Sequence, residues 1–166
     1  MHIPDGLMAP VVSLVGWIEF PVVFAAVLLL SGKRIKERNL PRGAVLSAGI
    51  FVAQMLNFPI GGGTTGHLVG GALFAMISGP TIAVIGMTIV LLIQGLMFGD
   101  GGITALGLNA INMAVIAPLT GWGVYSLLKG LSERRGARGK VVGGVVVGAA
   151  AWASVFVAAA ACAGEL

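Results

Sequence analysis

Two histidines, His2 and His67, are the only ones in this chain. His2 follows Met1, which as the expected N-terminus would carry a free α-amine. That amine, the His2 amide nitrogen and the His2 imidazole can grip one ion through two small chelate rings. The three donors fall naturally in a plane, and a fourth nitrogen from His67 would close the square. Four coplanar nitrogens suit Ni(II) or Cu(II), with Co(II) possible. Zinc prefers a tetrahedron, and calcium and magnesium prefer oxygen. The competing reading is a mobile terminus beside an unrelated packed histidine. The one cysteine, Cys162, sits in an alanine-rich run and reads as a small core residue, and no internal disulfide can form.

The segments that must position these groups are strongly apolar. Of 166 residues, 57% are hydrophobic and only 10% charged, and the mean hydropathy is +1.02. A soluble domain carries roughly 25% charge and needs polar surface to coat its core. The composition therefore predicts an all-α integral membrane protein, a polytopic helix bundle forming a single transmembrane domain over 1–166. Six apolar runs are candidates for spanning helices: 11–30, 43–58, 67–78, 81–98, 103–128 and 141–161. The N-terminal stretch MHIPDGLMAP has no basic region and no cleavage site, so Met1 is expected to be the working N-terminus.

All ten Lys and Arg residues fall in two stretches, five in 33–42 and five in 129–140. Basic clusters between apolar runs belong in the cytoplasm, and they also attract anionic lipid headgroups. They are not the interleaved basic face that nucleic acid needs. An even number of spans separates the two stretches. The N-terminus, the loop before His67 and the loop around Asp100 are then all on the outer side. The glycine spacings Gly66-x-x-x-Gly70, Gly95-x-x-x-Gly99, Gly139-x-x-x-Gly143 and Gly144-x-x-x-Gly148 predict close helix approach, mainly within the chain.

A metal-bound imidazole usually donates its other N–H to a fixed acceptor. Asp5, Asn57, Thr64, Thr65, Gln94, Asp100, Asn109 and Asn112 are candidates, with Asp5, Gln94 and Asn109 ranked first; satisfying a backbone group or bridging helices is the alternative role for each. Glu19 is the acid expected inside a spanning segment, either functional or at a helix interface. Trp17, Trp122 and Trp152 read as interface or packing aromatics. There is no GxxxxGK[ST], HExxH or GxSxG motif, so neither a P-loop ATPase nor an intramembrane hydrolase is expected. A non-transporting scaffold and a self-sufficient divalent-cation permease remain as alternatives.

The opening MHIPDGLM, the segment GGGTTGHLVGGAL and the segment LLIQGLMFGDGGITALGLNAINM resemble the CbiM/NikM family over nearly the whole chain. These are the substrate-capture membrane subunits of energy-coupling-factor transporters for cobalt and nickel. The resemblance implies that Met1, His2 and His67 bind Ni(II) or Co(II) as the transported substrate. It implies an N-terminal stretch inserted into the bundle from outside. The chain would itself hydrolyse nothing. It would work with a transmembrane coupling subunit, two cytoplasmic ATPases and a small additional membrane subunit, in the cell membrane of a prokaryote. The Asp-Gly start leans towards nickel. Family members usually have seven helices, so the last one is expected to be missing from these residues.

Overall fold

The computed structural model describes residues 2–60, 64–137 and 139–166. Six helices run through the described chain: α1 (Pro10–Ser31), α2 (Leu40–Gln54), α3 (Gly71–Ser78), α4 (Pro80–Phe98), α5 (Leu106–Arg134) and α6 (Lys140–Glu165). Four of them, α1, α4, α5 and α6, are long and apolar enough to cross a membrane. The protein is a membrane-embedded, multi-pass helical bundle. Prolines open two helices, at Pro10 and Pro80, where a missing N–H costs nothing.

The six expected segments are all present, with shifted ends. The second starts earlier and stops at Gln54, and the last two run on to Arg134 and Glu165. Glu19 is therefore not the sole acid within a long helix, since Glu165 closes α6. The third segment departs most. The loop expected before His67 contains an antiparallel hairpin of β1 (Phe58–Ile60) and β2 (Thr64–Gly66), with Phe58 opposite Gly66. Only eight residues of this segment, Gly71–Ser78, are helical. At 1.5 Å per residue that is about 12 Å, short of the ~30 Å hydrocarbon core.

So short and partly unwound a segment is tolerated at membrane depth only when protein surrounds it. That is its situation. Phe74 and Ala75 of α3 are buried in the main core with Ile50, Met87, Leu91 and Met113 from α2, α4 and α5. The unwound start has its own partner: the fully buried Gln54 donates from Nε2 to the Val69 carbonyl at 2.6 Å. Gly70 turns the chain into α3 with a φ of +76°, which no β-branched residue would accept.

Helices α4 and α5 each contain a π-helical turn, at Gln94–Phe98 and Ile111–Ile116. In α5 the turn lies just before Pro118, which lacks the N–H that would close the α-helical ladder. Helix α1 touches the bundle along a narrow seam. A Cβ on Gly107 would run into the Gly16 backbone and come within 2.7 Å of the Trp17 nitrogen. Tightly packed glycines include Gly16, Gly70, Gly86, Gly102, Gly107 and Gly121, and a Cβ on Gly95 would come 3.2 Å from Leu106, whereas Gly139, Gly143, Gly144 and Gly148 face open space.

The bundle has two distinct ends. At one, Thr81 donates to Ser31 at 2.8 Å, so the Gly79–Pro80 turn lies beside the first basic stretch. Helices α5 and α6 carry the second basic stretch towards that end. The other end collects the N-terminal residues, His67 and the 99–105 loop.

Replacing Gln54 by leucine leaves the Val69 carbonyl buried without a donor. The expected cost is about 1–3 kcal/mol, read as a lowered Tm in detergent; a Tm within a degree of the parent would contradict this account.

Candidate metal site

The N-terminal stretch is held against the bundle by its backbone. Asn109, buried in α5, accepts from the Ile3 N–H at 2.8 Å and donates from Nδ2 to the Ile3 carbonyl at 3.2 Å. That carbonyl also accepts from Gly102 N at 2.8 Å. Ile3 itself is 2% exposed. Two residues on, Asp5 accepts from the Ile103 amide at 3.1 Å, from the Thr104 amide at 2.8 Å and from the Thr104 hydroxyl at 2.6 Å. Those bonds, led by the Thr104 hydroxyl, hold the Asp5 carboxyl below its usual range. Trp17 donates to the Ile103 carbonyl at 3.2 Å, closing the same loop onto α1.

Glycine makes this contact possible. Gly101 has a φ of +97°, and a Cβ there would sit 3.0 Å from His2 Nδ1 and 3.1 Å from Asn109 Nδ2. At Gly102 a Cβ would come 2.8 Å from the Pro4 carbonyl carbon.

His2 is thereby delivered to His67, which directly follows β2. Their ring centroids are 4.9 Å apart and tilted by 34°. His2 Nε2 also faces Asp100 Oδ2 at 3.8 Å, and neither atom has a hydrogen-bond partner among the described residues. A carboxylate facing Nε2 favours the tautomer with its proton there. The Nδ1 lone pair is then available to a ligand. Nδ1 is also the nitrogen that closes a six-membered chelate ring with the His2 amide. His67 Nδ1 lies 2.9 Å from the Leu68 carbonyl; since a carbonyl can only accept, the proton is on Nδ1 and the lone pair on Nε2.

The electrostatics favour neutral rings. Burial pushes the His2 pKa down to about 4, against the raising effect of Asp100 and with a further lowering by His67. Burial also lowers His67, opposed by its bond to Leu68. Neutral imidazoles are the ligating form.

Of the residues singled out from sequence, the structure brings His2, His67, Asp100, Asn109 and Asp5 to one end of the bundle. Met1 lies outside the described residues. Asp5 and Asn109 grip backbone rather than either ring. Gln94 is fully buried in the π-turn of α4. Its side-chain amide has no partner among the described residues, and its carbonyl accepts from Asp100 N at 3.0 Å. Asn112 donates to Glu165 at 2.7 Å. Glu19 is exposed on α1. Among the described residues no three His, Cys, Asp or Glu side chains converge as a metal site. Sequence reasoning passed over Ile3, Gly101, Gly102 and Thr104. The only sign of them was the Gly99-Asp100-Gly101-Gly102 run.

The structure defines a multi-pass helical membrane protein that brings two histidines together at one end of its bundle. The chain belongs to the CbiM family: the family model described as the cobalt uptake substrate-specific transmembrane region matches residues 2–166. It is 37% identical over 163 residues to the fused nickel transport protein NikMN of Rhodobacter capsulatus, covering 96% of this chain and 45% of that one. It is 42% identical over 133 residues to a Haloquadratum walsbyi protein described as a metal transport protein, covering 80% and 61%. The chain thus spans less than two thirds of the length of these two relatives. A crystal structure of a truncated transition metal transporter superposes with a TM-score of 0.85 at 38% identity, covering 99% of this chain and 73% of that one. The match to cobalt and nickel transport proteins, together with the four apolar helices, makes this a member of a metal transport family.

Two measurements check the site's construction. Asn109→Ala removes both side-chain bonds to Ile3 and should cost about 1–3 kcal/mol, with the first residues becoming accessible to aminopeptidase; unchanged protection would refute the anchor. In the metal-free protein, NMR titration should find His2 neutral until near pH 4. An unfolded chain takes up that proton at its ordinary 6.5. Stability should therefore fall as pH drops from about 6.5 towards 4.

Proposed function

We propose that the chain is the metal-capturing subunit of an energy-coupling-factor transporter, taking up Ni(II), with Co(II) the second candidate. The substrate is held by the Met1 amine, the His2 amide nitrogen and Nδ1, and His67. The observation that carries this is the meeting of His2 and His67, with ring centroids 4.9 Å apart, on a backbone clamped by Asn109. Three lines add support. The neutral rings need lose no proton to bind. Asp100 lies where the second N–H of a bound His2 would point, the usual companion of a metal-bound imidazole. The fused relative in Rhodobacter capsulatus is named for nickel.

Capture is on the outer face, because both basic stretches are at the opposite end of the bundle and basic loops stay in the cytoplasm. The chain hydrolyses nothing itself. Energy comes from two cytoplasmic ATPases acting through a transmembrane coupling subunit, with a small additional membrane subunit as a further partner.

Calorimetry of Ni(II) binding tests this directly. The native start should bind, whereas a one-residue N-terminal extension and His67→Ala should each lose most of the affinity. Asp100→Asn should weaken binding by about 10–100-fold. The amine, with an ordinary pKa of ~7.7–8.0, must give up its proton, so affinity should drop steeply below about pH 6. An extended chain that binds as tightly as the native one would end this reading. Rapid Ni(II) uptake by the chain alone in liposomes would instead make it a permease.

A further inference from the structure

At the end of the bundle remote from the histidines, the end of α1, the loop after it, the Gly79–Pro80 turn and α5 surround an open cavity of about 150 Å³. Three hydrogen-bond donors on its lining have nothing to donate to. Helix α4 starts at Pro80 without a side-chain cap, from Gly79 at a φ of +88°. The Ala83 N–H reaches the Gly79 carbonyl at 3.1 Å. Pro80 has no N–H, and those of Thr81 and Ile82 make no hydrogen bond among the described residues. Thr81 and Ile82 are each only 7% exposed and both line the cavity. The third donor is the hydroxyl of Ser78, a lining residue that is 8% exposed and whose Oγ has no partner among the described residues. The neighbouring hydroxyls are already linked, Thr81 Oγ1 to Ser31 Oγ at 2.8 Å and Ser31 onward to the Val27 carbonyl.

Buried backbone N–H groups without an acceptor are rare, because each costs as much as a lost hydrogen bond. Free N–H groups at the start of a long helix also carry the positive end of its dipole, so the acceptor they select is an anion. The lining offers no competing carboxylate. The Asn39 amide and the Trp122 indole are further donors on its walls. Lys33, Lys36, Glu37 and Arg38 lie on the loop that supplies Ile35 and Asn39, but none of the four lines the cavity. They bias the potential around it towards positive without touching its contents. Donors spread over a helix start, a hydroxyl and two walls suit a ligand with more oxygens than the two of a carboxylate. At a membrane surface that ligand is a phosphate.

We propose that this cavity binds one phosphate group, seated on the Thr81 and Ile82 N–H groups with the Ser78 hydroxyl as third donor. A phospholipid headgroup and free phosphate share that chemistry, and the experiment separates them. The site is remote from the metal-binding end and does not depend on the transport reading.

Amide NMR of the full chain in nanodiscs of a phosphate-free galactolipid tests it. Adding phosphatidylglycerol to the bilayer, or inorganic phosphate to the buffer, should move the Thr81 and Ile82 amide protons downfield. A response to the lipid assigns the site to a headgroup, and a response to millimolar inorganic phosphate assigns it to the free ion. Ser78→Ala should weaken the effective ligand about tenfold. Asn39→Asp puts a carboxylate on the wall and should abolish the response. Asn39 is half-buried, so this variant decides alone if Ser78→Ala does not fold. Two results would overturn the proposal. One is no movement of the two amides with either phosphate source. The other is a response that survives Ser78→Ala and Asn39→Asp but disappears on neutralising Lys33 and Lys36, which would mean diffuse attraction to the loop.

Discussion

One side chain, Asn109, holds both backbone groups of Ile3, and the far end of the bundle is organised around that grip. An extended N-terminal segment laid against a helix has no ladder to satisfy its N–H and C=O groups. Buried backbone groups left unpaired cost as much as lost hydrogen bonds. Asn109 supplies an acceptor and a donor from one residue, and Gly102 adds a second donor to the same carbonyl. With Ile3 fixed, His2 has little freedom left. The ring reaches both His67 and Asp100 because the backbone that follows it is held.

The same rule governs the interior. A segment that is part extended and part helical crosses the bundle between His67 and the Gly79–Pro80 turn. It persists because Gln54 satisfies Val69 and because Phe74 fills the core between α2, α4 and α5. The π-turns in α4 and α5 are the other departures from plain helix. The first ends at Gly99, and the Asp100 amide closes back onto the Gln94 carbonyl, which aims the carboxylate across the end of the bundle. Such turns concentrate at functional sites.

Much of this was legible from residue order alone. Hydropathy located all six helical segments, because each is an apolar run bounded by charge, glycine or proline. The two histidines were equally plain, being the only ones. The shortening of α3 was not, since nothing local in His67-Leu68-Val69-Gly70 reveals that Gln54, on another helix, will take the Val69 carbonyl. Asn109 was picked out as a polar residue in an apolar helix, but its partner is 106 residues away. Of the two roles weighed for Asp5, orienting a ring or satisfying backbone groups, the structure shows the second. Of the GxxxG spacings, the two at the start of α6 face open space while Gly70 and Gly95 do make close contacts, because which helices cross is not encoded by spacing along one helix.

The long separation between Ile3 and Asn109 also sets an order of events during synthesis. Among the described residues, every hydrogen bond that ties residues 2–5 to the bundle comes from residues 102–109. At roughly 5–20 residues per second, those partners do not exist until about 5–20 s after the N-terminus has emerged. Residues 2–5 are thus made well before their partners and are among the last to find their place. They wait untethered while four helices are made ahead of α5.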